Sequence, residues 1–510
     1  MVVRSVSARD APVRMSRRPV TRFINRSDEL RQLSQLHARP RGQLVIVSAQ
    51  PGQGKTTLVR QWLRAGGHAA LNWTAGRGAP DNQLRSFSQA LCAYLRPRER
   101  PAADWTYPDW KAALRDLGHQ SESRRHIVVT LAPRVGRVRV DDFDLLLEAD
   151  RGVASDVKVT WDLVLEHGQA MLILVSAQLL RLHADGLSYQ APLYGRPTAH
   201  FRLRPLSWSN LARAMPGISA EDRVALLAAT GGLPTYLQKI DPRWPRDTNL
   251  RALLADRDYQ DSLEVVLRHP RLRPAAAYQN ILAALAHGAA SPAALARQAG
   301  LAERQVYRRL IDLEILRLTF DNSPVVGPYQ FAARGQHTPL MNFQAGFAAR
   351  FVAPYLARLR RGDDRAAWQA IRRGIDSFIG AIVFPELCWE WLARERRAGR
   401  LVRAGLAGSY WAPGQPNLEF LLINEDSREA DLGTALWSRQ PMGPKTVNEL
   451  IRRSQRIQPR LDDHWRLTFV FFSRAGFAPE ARQAGQNYQC QWVSLEAIDR
   501  ALDRPIRSGA

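Results

Sequence analysis

The chain has 510 residues, 45% of them apolar and 24% charged, with a net charge of +24 and a pI near 10.9. This is an ordinary globular balance, and the length suits about three domains. No apolar run is long enough to span a membrane, and the N-terminus lacks an apolar signal core, so neither a membrane protein nor a secreted one is expected. Cys92, Cys388 and Cys490 lie far apart, which excludes a zinc spacing and a disulfide framework and points to a reduced, cytoplasmic chain. The basic residues are 67 arginines and five lysines. Such a charge attracts polyanions non-specifically, although an arginine-rich genomic composition would leave the same mark.

Residues 1–22 are basic and dotted with Ser and Pro, and are predicted to be a disordered arm, or one that contacts phosphates. The first structured signal is the apolar run "QLVIV" (43–47), followed by "SAQPGQGKTTL" (48–58). Strand, Gly-rich turn and amphipathic helix are the parts of a phosphate-binding loop, in which backbone N–H groups and a helix N-terminus face the phosphates. Gly52 and Gly54 supply the permissive backbone, Lys55 would reach the β- and γ-phosphates, and Thr56 would ligate Mg²⁺ with Thr57 beside it. Ala49 stands where a glycine is usual, a mild departure because the strand is only leaving the sheet there. ATP and Mg²⁺ are therefore the expected cofactors.

Hydrolysis needs a second strand ending in carboxylates, one for Mg²⁺ and one to activate water. "VRVDDFDLL" (138–146) offers Asp141 for the metal and Asp142 in place of the usual, longer glutamate. Yet "RVRV" (137–140) alternates as a half-exposed strand does, whereas a central parallel strand is continuously apolar. "HIVVTLA" (126–132) fits a central strand better but ends without an acid. An insertion between that strand and Asp141 resolves the conflict; an eroded site with a solvated acidic turn is the alternative. The run "AMLILVSAQ" (170–178) predicts another buried strand. Ser176 at its end is placed to sense a γ-phosphate, or is a plain strand terminus.

Two further strings carry a resemblance. "LSYQAPLYGRPTAHFRLRPLSW" (187–208) and "TGGLPTYLQKI" (230–240) resemble the archaeal-type AAA ATPases, a P-loop family also widespread in bacteria. "FINRSDELRQL" (23–33) is similar to that family's opening box, with Asn25 for glycine, and "LEADRGVASDVKVTWD" (147–162) to the segment after its Mg²⁺-binding aspartate, a register that favours Asp141. The resemblance spans residues 23 to about 500. It implies that Arg26 lies near the nucleotide, that Arg196 is a sensor or finger arginine unless it serves as a structural ion pair, and that Pro234 packs near the base unless it merely starts a helix.

Residues 275–320 read as three short helices of a winged helix. Ser291 and Pro292 open the second helix and Gly300 stops it. In "AERQVYRRLIDLEI" (302–315), Val306, Leu310 and Leu313 form the buried stripe, which turns Arg304, Gln305, Arg308 and Asp312 outward. Arg304, Gln305, Arg308 and Arg309 have the chemistry for bases and phosphates of duplex DNA. A lid or partner surface is the other reading of this module.

From about residue 340 the resemblance implies a restriction-endonuclease-like domain, whose metal ions would be held by carboxylates beside a lysine. Here the motif positions read "FPELCWEWL" (384–392), "GSYWAPGQPNLEFLL" (408–422) and "GTALWS" (433–438). Glu419 stands for the family aspartate, Thr434 for its glutamate and Leu436 for its lysine, so the nuclease is expected to be inactive. A displaced site using Glu386, Glu390 and Glu419 is the alternative. "RLTFVFFSRAGFAPEARQ" (466–483) resembles the family's last core strand and helix.

The expected class is α/β: a parallel-sheet P-loop ATPase with a helical lid (23–265), an all-α winged helix (266–335) and a degenerate endonuclease-like α/β domain (336–510). The expected function is a nucleotide-dependent switch associated with double-stranded DNA, or with a protein partner through the C-terminal domain. The rivals are an active ATP-dependent nuclease, a nucleotide-binding scaffold without turnover, and a transcription factor with a nucleotide ligand.

Overall fold

The computed structural model describes residues 23–503, apart from 25, 76–78, 100, 123, 132–141, 321–337, 403–404, 412–416, 456 and 458–463. The N-terminal arm, the "RVRV" segment and Asp141 thus lie outside the described residues.

Five parallel strands form the N-terminal sheet: β1 (Gln43–Ser48), β2 (Leu71–Thr74), β3 (His126–Leu131), β4 (Ala170–Ser176) and β5 (Ala199–Arg202). Their order is β2-β3-β4-β1-β5. β1 and β4 are buried along their whole length, because helices cover both faces. On one face Leu33, Leu58 and Trp62 of the helices Ser27–His37 and Lys55–Ala65 pack against Val45, Val47 and Ile173. On the other, Leu91, Leu114 and Val157 pack against Leu44, Ile46 and Leu172. Ser48 of β1 is level with Ser176 of β4, so both strands end at the same edge, where ligands of open α/β sheets bind.

The buried central strand is His126–Leu131, as its continuous apolar run demands, and a helix resumes at Asp142–Ala149.

The middle of the chain is helical. Ser291 caps the helix Pro292–Ala299 by accepting from Ala294 N–H, and Gly300 ends it with φ 67°. Val306, Leu310 and Leu313 are buried, as the stripe predicts. Asp312 departs from the expectation: it is only 4% exposed and does not point outward. It lies at the edge of the buried stripe, where Tyr278 Oη donates to it at 2.7 Å and Arg271 Nε stands 2.8 Å away. A carboxylate is tolerated inside when so partnered. Thr319 and Leu340 form an antiparallel bridge after the helix Glu303–Ile315.

The C-terminal sheet is mixed. β6 (Leu406–Tyr410), β7 (Leu418–Asn424) and β8 (Glu429–Leu436) make an antiparallel meander, and β9 (Arg466–Ser473) and β10 (Gln489–Ser494) continue in parallel with β8. Helix Phe384–Arg397 covers one face and helix Pro444–Gln455 the other. The strand and helix expected at 466–483 are present but are not the last, since β10 and the helix Leu495–Asp503 follow. That final helix returns to the lid: Asp499 accepts from Trp208 Nε1 at 2.9 Å and from Arg223 at 2.5 Å. One apolar cluster includes Leu227, Ile281, Phe347, Phe384 and Ile498, so the core runs on across 265/266 and 335/336. No helix among the described residues is long and apolar enough to cross a membrane.

Candidate functional site

The loop after β1 has the geometry its glycines predict. Gly52 and Gly54 have φ of 85° and 86°, where a side chain would be strained. Ala49 needs no such freedom: it is buried and its N–H donates to Ser176 O at 3.2 Å, still within the sheet. Lys55 opens the helix and is 4% exposed. Its ammonium donates to Ala49 O at 3.0 Å and Gln50 O at 3.1 Å. No side chain caps this helix at Gly54, which suits a terminus that receives an anion. Thr56 is half-buried in its first turn and Thr57 is exposed.

Two segments close around the loop. Arg26 reaches Gln53 O at 3.3 Å, Arg204 O at 2.7 Å and Glu29 at 3.1 Å, tying the entry box to the loop and to the segment after β5. The turn at Gly231 and Gly232 brings Thr235 N–H to Gly52 O at 3.3 Å. Pro234 starts the short helix Pro234–Leu237, and its ring lies 3.7 Å from where a Cβ on Gly54 would be. A Cβ on Gly52 would lie 2.9 Å from Thr235 Cγ2, so glycine is needed there for room as well as for φ.

Gln50 was not singled out from the sequence. Its amide donates to Leu316 O at 2.5 Å and accepts from Asn342, which itself caps the helix Phe343–Phe347. The loop is therefore bonded to residues 316 and 342 of the helical middle. No local pattern announces contacts across 266 and 292 residues.

At the end of β4, Ser176 is fully buried and its hydroxyl donates to Asp144 at 2.7 Å. Asp144 also accepts from Ala177 N–H at 2.7 Å and Gln178 N–H at 2.9 Å. This carboxylate, the third acid of "VDDFD", is thus bound into the strand end; its spacing from Asp141 was the available signal. Asp142 is the first residue of the helix Asp142–Ala149. Arg196 faces Asp162 at 3.3 and 3.4 Å and donates to Tyr194 O at 2.9 Å, which is the ion-pair arrangement.

On the helix Glu303–Ile315 Arg304, Gln305 and Arg308 are exposed together. Arg309 is not grouped with them: it lies 5.6 Å over the Tyr278 ring and donates to Gln305 O at 3.0 Å.

In the C-terminal domain a bulge in β7, between the pairs Gly408↔Leu421 and Tyr410↔Leu418, carries Glu419. Glu419 accepts from Ala435 N–H at 2.9 Å and from the Thr434 hydroxyl. Glu386 and Glu419 keep a little surface open, but their carboxyls are densely enclosed, and that desolvation pushes both up to about 7. Glu390 is also raised by burial and turns away to the lid, accepting from Trp208 N–H at 3.3 Å. No group of three or more metal-ligating residues occurs among the described residues. Leu436 packs against the apolar cluster beneath β8.

Residues 349–446 match the family model DUF234, described as archaeal and bacterial proteins of unknown function. Along its length the chain is similar to an uncharacterized protein of Methanocaldococcus jannaschii, 21% identical over 482 residues that cover 93% of this chain and 99% of that one. Among solved structures it is similar to the Walker-type ATPase of Pyrococcus abyssi, with TM-score 0.47 and 17% identity over 65% of this chain and 98% of that one. It is also similar to the Orc1 protein of Aeropyrum pernix in complex with DNA, with TM-score 0.32 and 16% identity over 66% and 94% of the two chains. By its P-loop pattern and its parallel strand order the N-terminal part of the chain resembles archaeal P-loop ATPases, and in its C-terminal part residues 349–446 are similar to the DUF234 family.

Proposed function

We propose that the chain is an ATP-binding switch that couples nucleotide occupancy to the placement of a winged helix on duplex DNA, and that its C-terminal domain is a nuclease fold without nuclease activity. The observation that carries the reading is the bonding of Gln50, inside the P-loop, to Leu316 just after the helix Glu303–Ile315 and to Asn342. A loop that rearranges around phosphates would move those partners. The residues present fit the nucleotide. The Lys55 ammonium lies against the loop carbonyls, the helix behind it has no side-chain cap, and Gln53 Oε1 is buried without a partner among the described residues. In this reading Gly52, Gly54, Lys55 and Thr57 hold phosphates, Arg26 and Pro234 border the nucleoside, and Thr56 with Asp141 would hold Mg²⁺. The metal would supply charge neutralisation at the phosphates.

Turnover is expected to be slow. Asp142 is one methylene shorter than the glutamate usual for the water-activating role, the Ser176 hydroxyl is committed to Asp144, and Arg196 is committed to Asp162. Arg304, Gln305 and Arg308 are the DNA-facing groups, and Arg309 lies over Tyr278 instead. In the C-terminal domain the position of the metal-binding glutamate is Thr434, whose hydroxyl bonds Glu419 instead. The domain then serves as a body for the lid and as a surface for a protein partner.

Calorimetry with ATP and Mg²⁺ tests the proposal: wild type binds and Lys55→Ala does not. Equal binding by both, or plasmid cleavage that is lost in Glu419→Ala, overturns it.

A further inference from the structure

A second cluster of cationic groups lies beside the phosphate-binding loop. β5 pairs with β1 so that Arg202 is level with Ser48, and Leu203 N–H donates to Ser48 O at 3.0 Å. Phe201 and Leu203 enter the core beneath the P-loop helix. Alternation therefore puts His200, Arg202 and Arg204 on the opposite side of the segment. Arg317 approaches from the winged helix, one residue after Leu316, whose carbonyl holds the Gln50 amide.

Arg317 is half-buried, and among the described residues the charges acting on it are Arg202 and Arg204, with no carboxylate. Other half-buried arginines either face a carboxylate, as Arg26 faces Glu29, Arg196 faces Asp162 and Arg474 faces Glu221, or spend their donors on backbone carbonyls, as Arg125 and Arg350 do. Three guanidinium groups drawn from two domains repel one another unless an anion lies between them.

The local structure holds this arrangement rather than relaxing it. Arg317 has φ 57°, a left-handed conformation that favours glycine. Arg317 N–H bonds Glu314 O at 2.8 Å and Leu318 N–H bonds Leu313 O at 2.9 Å, the helix-ending pattern that places a glycine at this position. Strain retained by a charged residue at a domain junction points to a use for its side chain. Arg202 is oriented by His200, whose Nδ1 accepts from Arg202 Nε at 3.2 Å. Burial, with Arg202 and Arg317 nearby, pushes His200 down to about 4, so the ring is neutral. The remaining proton is then on Nε2 and is donated to Ser48 Oγ at 2.7 Å. The histidine thus aims Arg202 without adding a fourth positive charge.

We propose that Arg202, Arg204 and Arg317 form a phosphate-binding seat at the junction of the ATPase sheet and the winged helix, distinct from the P-loop. Guanidinium groups suit phosphate oxygens because their fork of N–H donors matches that geometry. The phosphate belongs either to a free polyphosphate or nucleotide, or to a nucleic-acid backbone. A bound phosphate would draw the two domains together at the place where Gln50 already joins them. The seat does not depend on the P-loop binding a nucleotide.

The full-length Lys55→Ala protein, in which the P-loop is disabled, is titrated with tripolyphosphate by calorimetry. Saturable binding is expected to remain. Adding Arg202→Gln and Arg317→Gln weakens it at least about tenfold, the loss of one or two charge-assisted contacts. Adding Arg64→Gln and Arg98→Gln instead, which removes the same charge at two exposed arginines of the N-terminal part, leaves it unchanged. Arg317→Gly supplies a variant whose folding is secure, since glycine is at ease at φ 57°; it should melt no lower than its parent yet bind tripolyphosphate more weakly. A short DNA duplex added as competitor separates the sources. If it displaces tripolyphosphate in the Arg304→Ala/Arg308→Ala background, the seat takes a nucleic-acid backbone. If only nucleotides and polyphosphates compete, it takes a free phosphate ligand. Unchanged affinity in the folded Arg317→Gly protein, or an equal loss in the Arg64→Gln/Arg98→Gln control, overturns the proposal. ATP binding by the wild type, tested against Lys55→Ala, is read separately and stands or falls by itself.

Discussion

Replacing Gln50 by alanine tests whether the phosphate-binding loop and the wing are mechanically joined. The side chain is 3% exposed and makes two hydrogen bonds, to Leu316 O and from Asn342. Truncation leaves a buried carbonyl and a buried amide unpaired, each at a cost of about 1–3 kcal/mol. The space vacated is large enough for water to offset part of that, so a net loss of about 2–3 kcal/mol is expected. Asn342→Ala removes the same contact and also the cap on Ala345 N–H at 2.9 Å, adding roughly 1 kcal/mol. Because both variants break one shared bond, the double variant should cost less than their sum, by about 1–2 kcal/mol. Urea denaturation of the four proteins, followed by tryptophan fluorescence, measures the cycle. A coupling below about 0.3 kcal/mol, or a Gln50→Ala protein as stable as wild type, would refute the argument that the loop is bonded across the junction.

Asp144→Ala removes a fully buried carboxylate that accepts from Ser176, Ala177 and Gln178; a loss of about 3–5 kcal/mol is expected in thermal or chemical unfolding, and Asp144→Asn should recover part of it. Glu386 and Glu419 rise from the ordinary 4.5 to about 7 in the folded chain, which therefore holds protons that the unfolded chain releases. Their contribution to stability is complete below about pH 4.5 and is lost as the pH rises through about 7, so Glu419→Gln should flatten the fall in denaturation midpoint over that window; an unaltered slope counts against the buried, protonated carboxyl. Arg304→Ala/Arg308→Ala should weaken duplex binding and lower the slope of log affinity against log salt by about 2, one per phosphate contact. An unchanged slope in a mobility-shift series would take the DNA-facing role away from this helix.

Much of the site was legible because it is local. A P-loop is a strand, a turn and a helix in immediate succession, and the need for positive φ and for close approach shows directly as Gly52 and Gly54. The caps at Ser291 and Gly300, and the stripe of Val306, Leu310 and Leu313, follow from helical periodicity in the same way. The mismatch between "RVRV" and a buried strand pointed to His126–Leu131, which is the strand the sheet contains. Asp312 was misplaced because periodicity reports which face is apolar, not whether a partner such as Tyr278 waits beneath an acid. Arg309 was grouped with its neighbours by charge alone, while its packing over Tyr278 sets it apart.

The amino-acid order by itself thus determined the P-loop turn and the helix caps and apolar stripe of residues 291–313, since each depends on residues within a few positions of one another. Only the tertiary structure decided where Gln50, Asp144, Arg196 and Arg317 spend their polar groups. Their partners come from distant segments brought together by packing, and hydrogen-bond satisfaction in a buried junction is settled by that geometry, not by spacing along the chain.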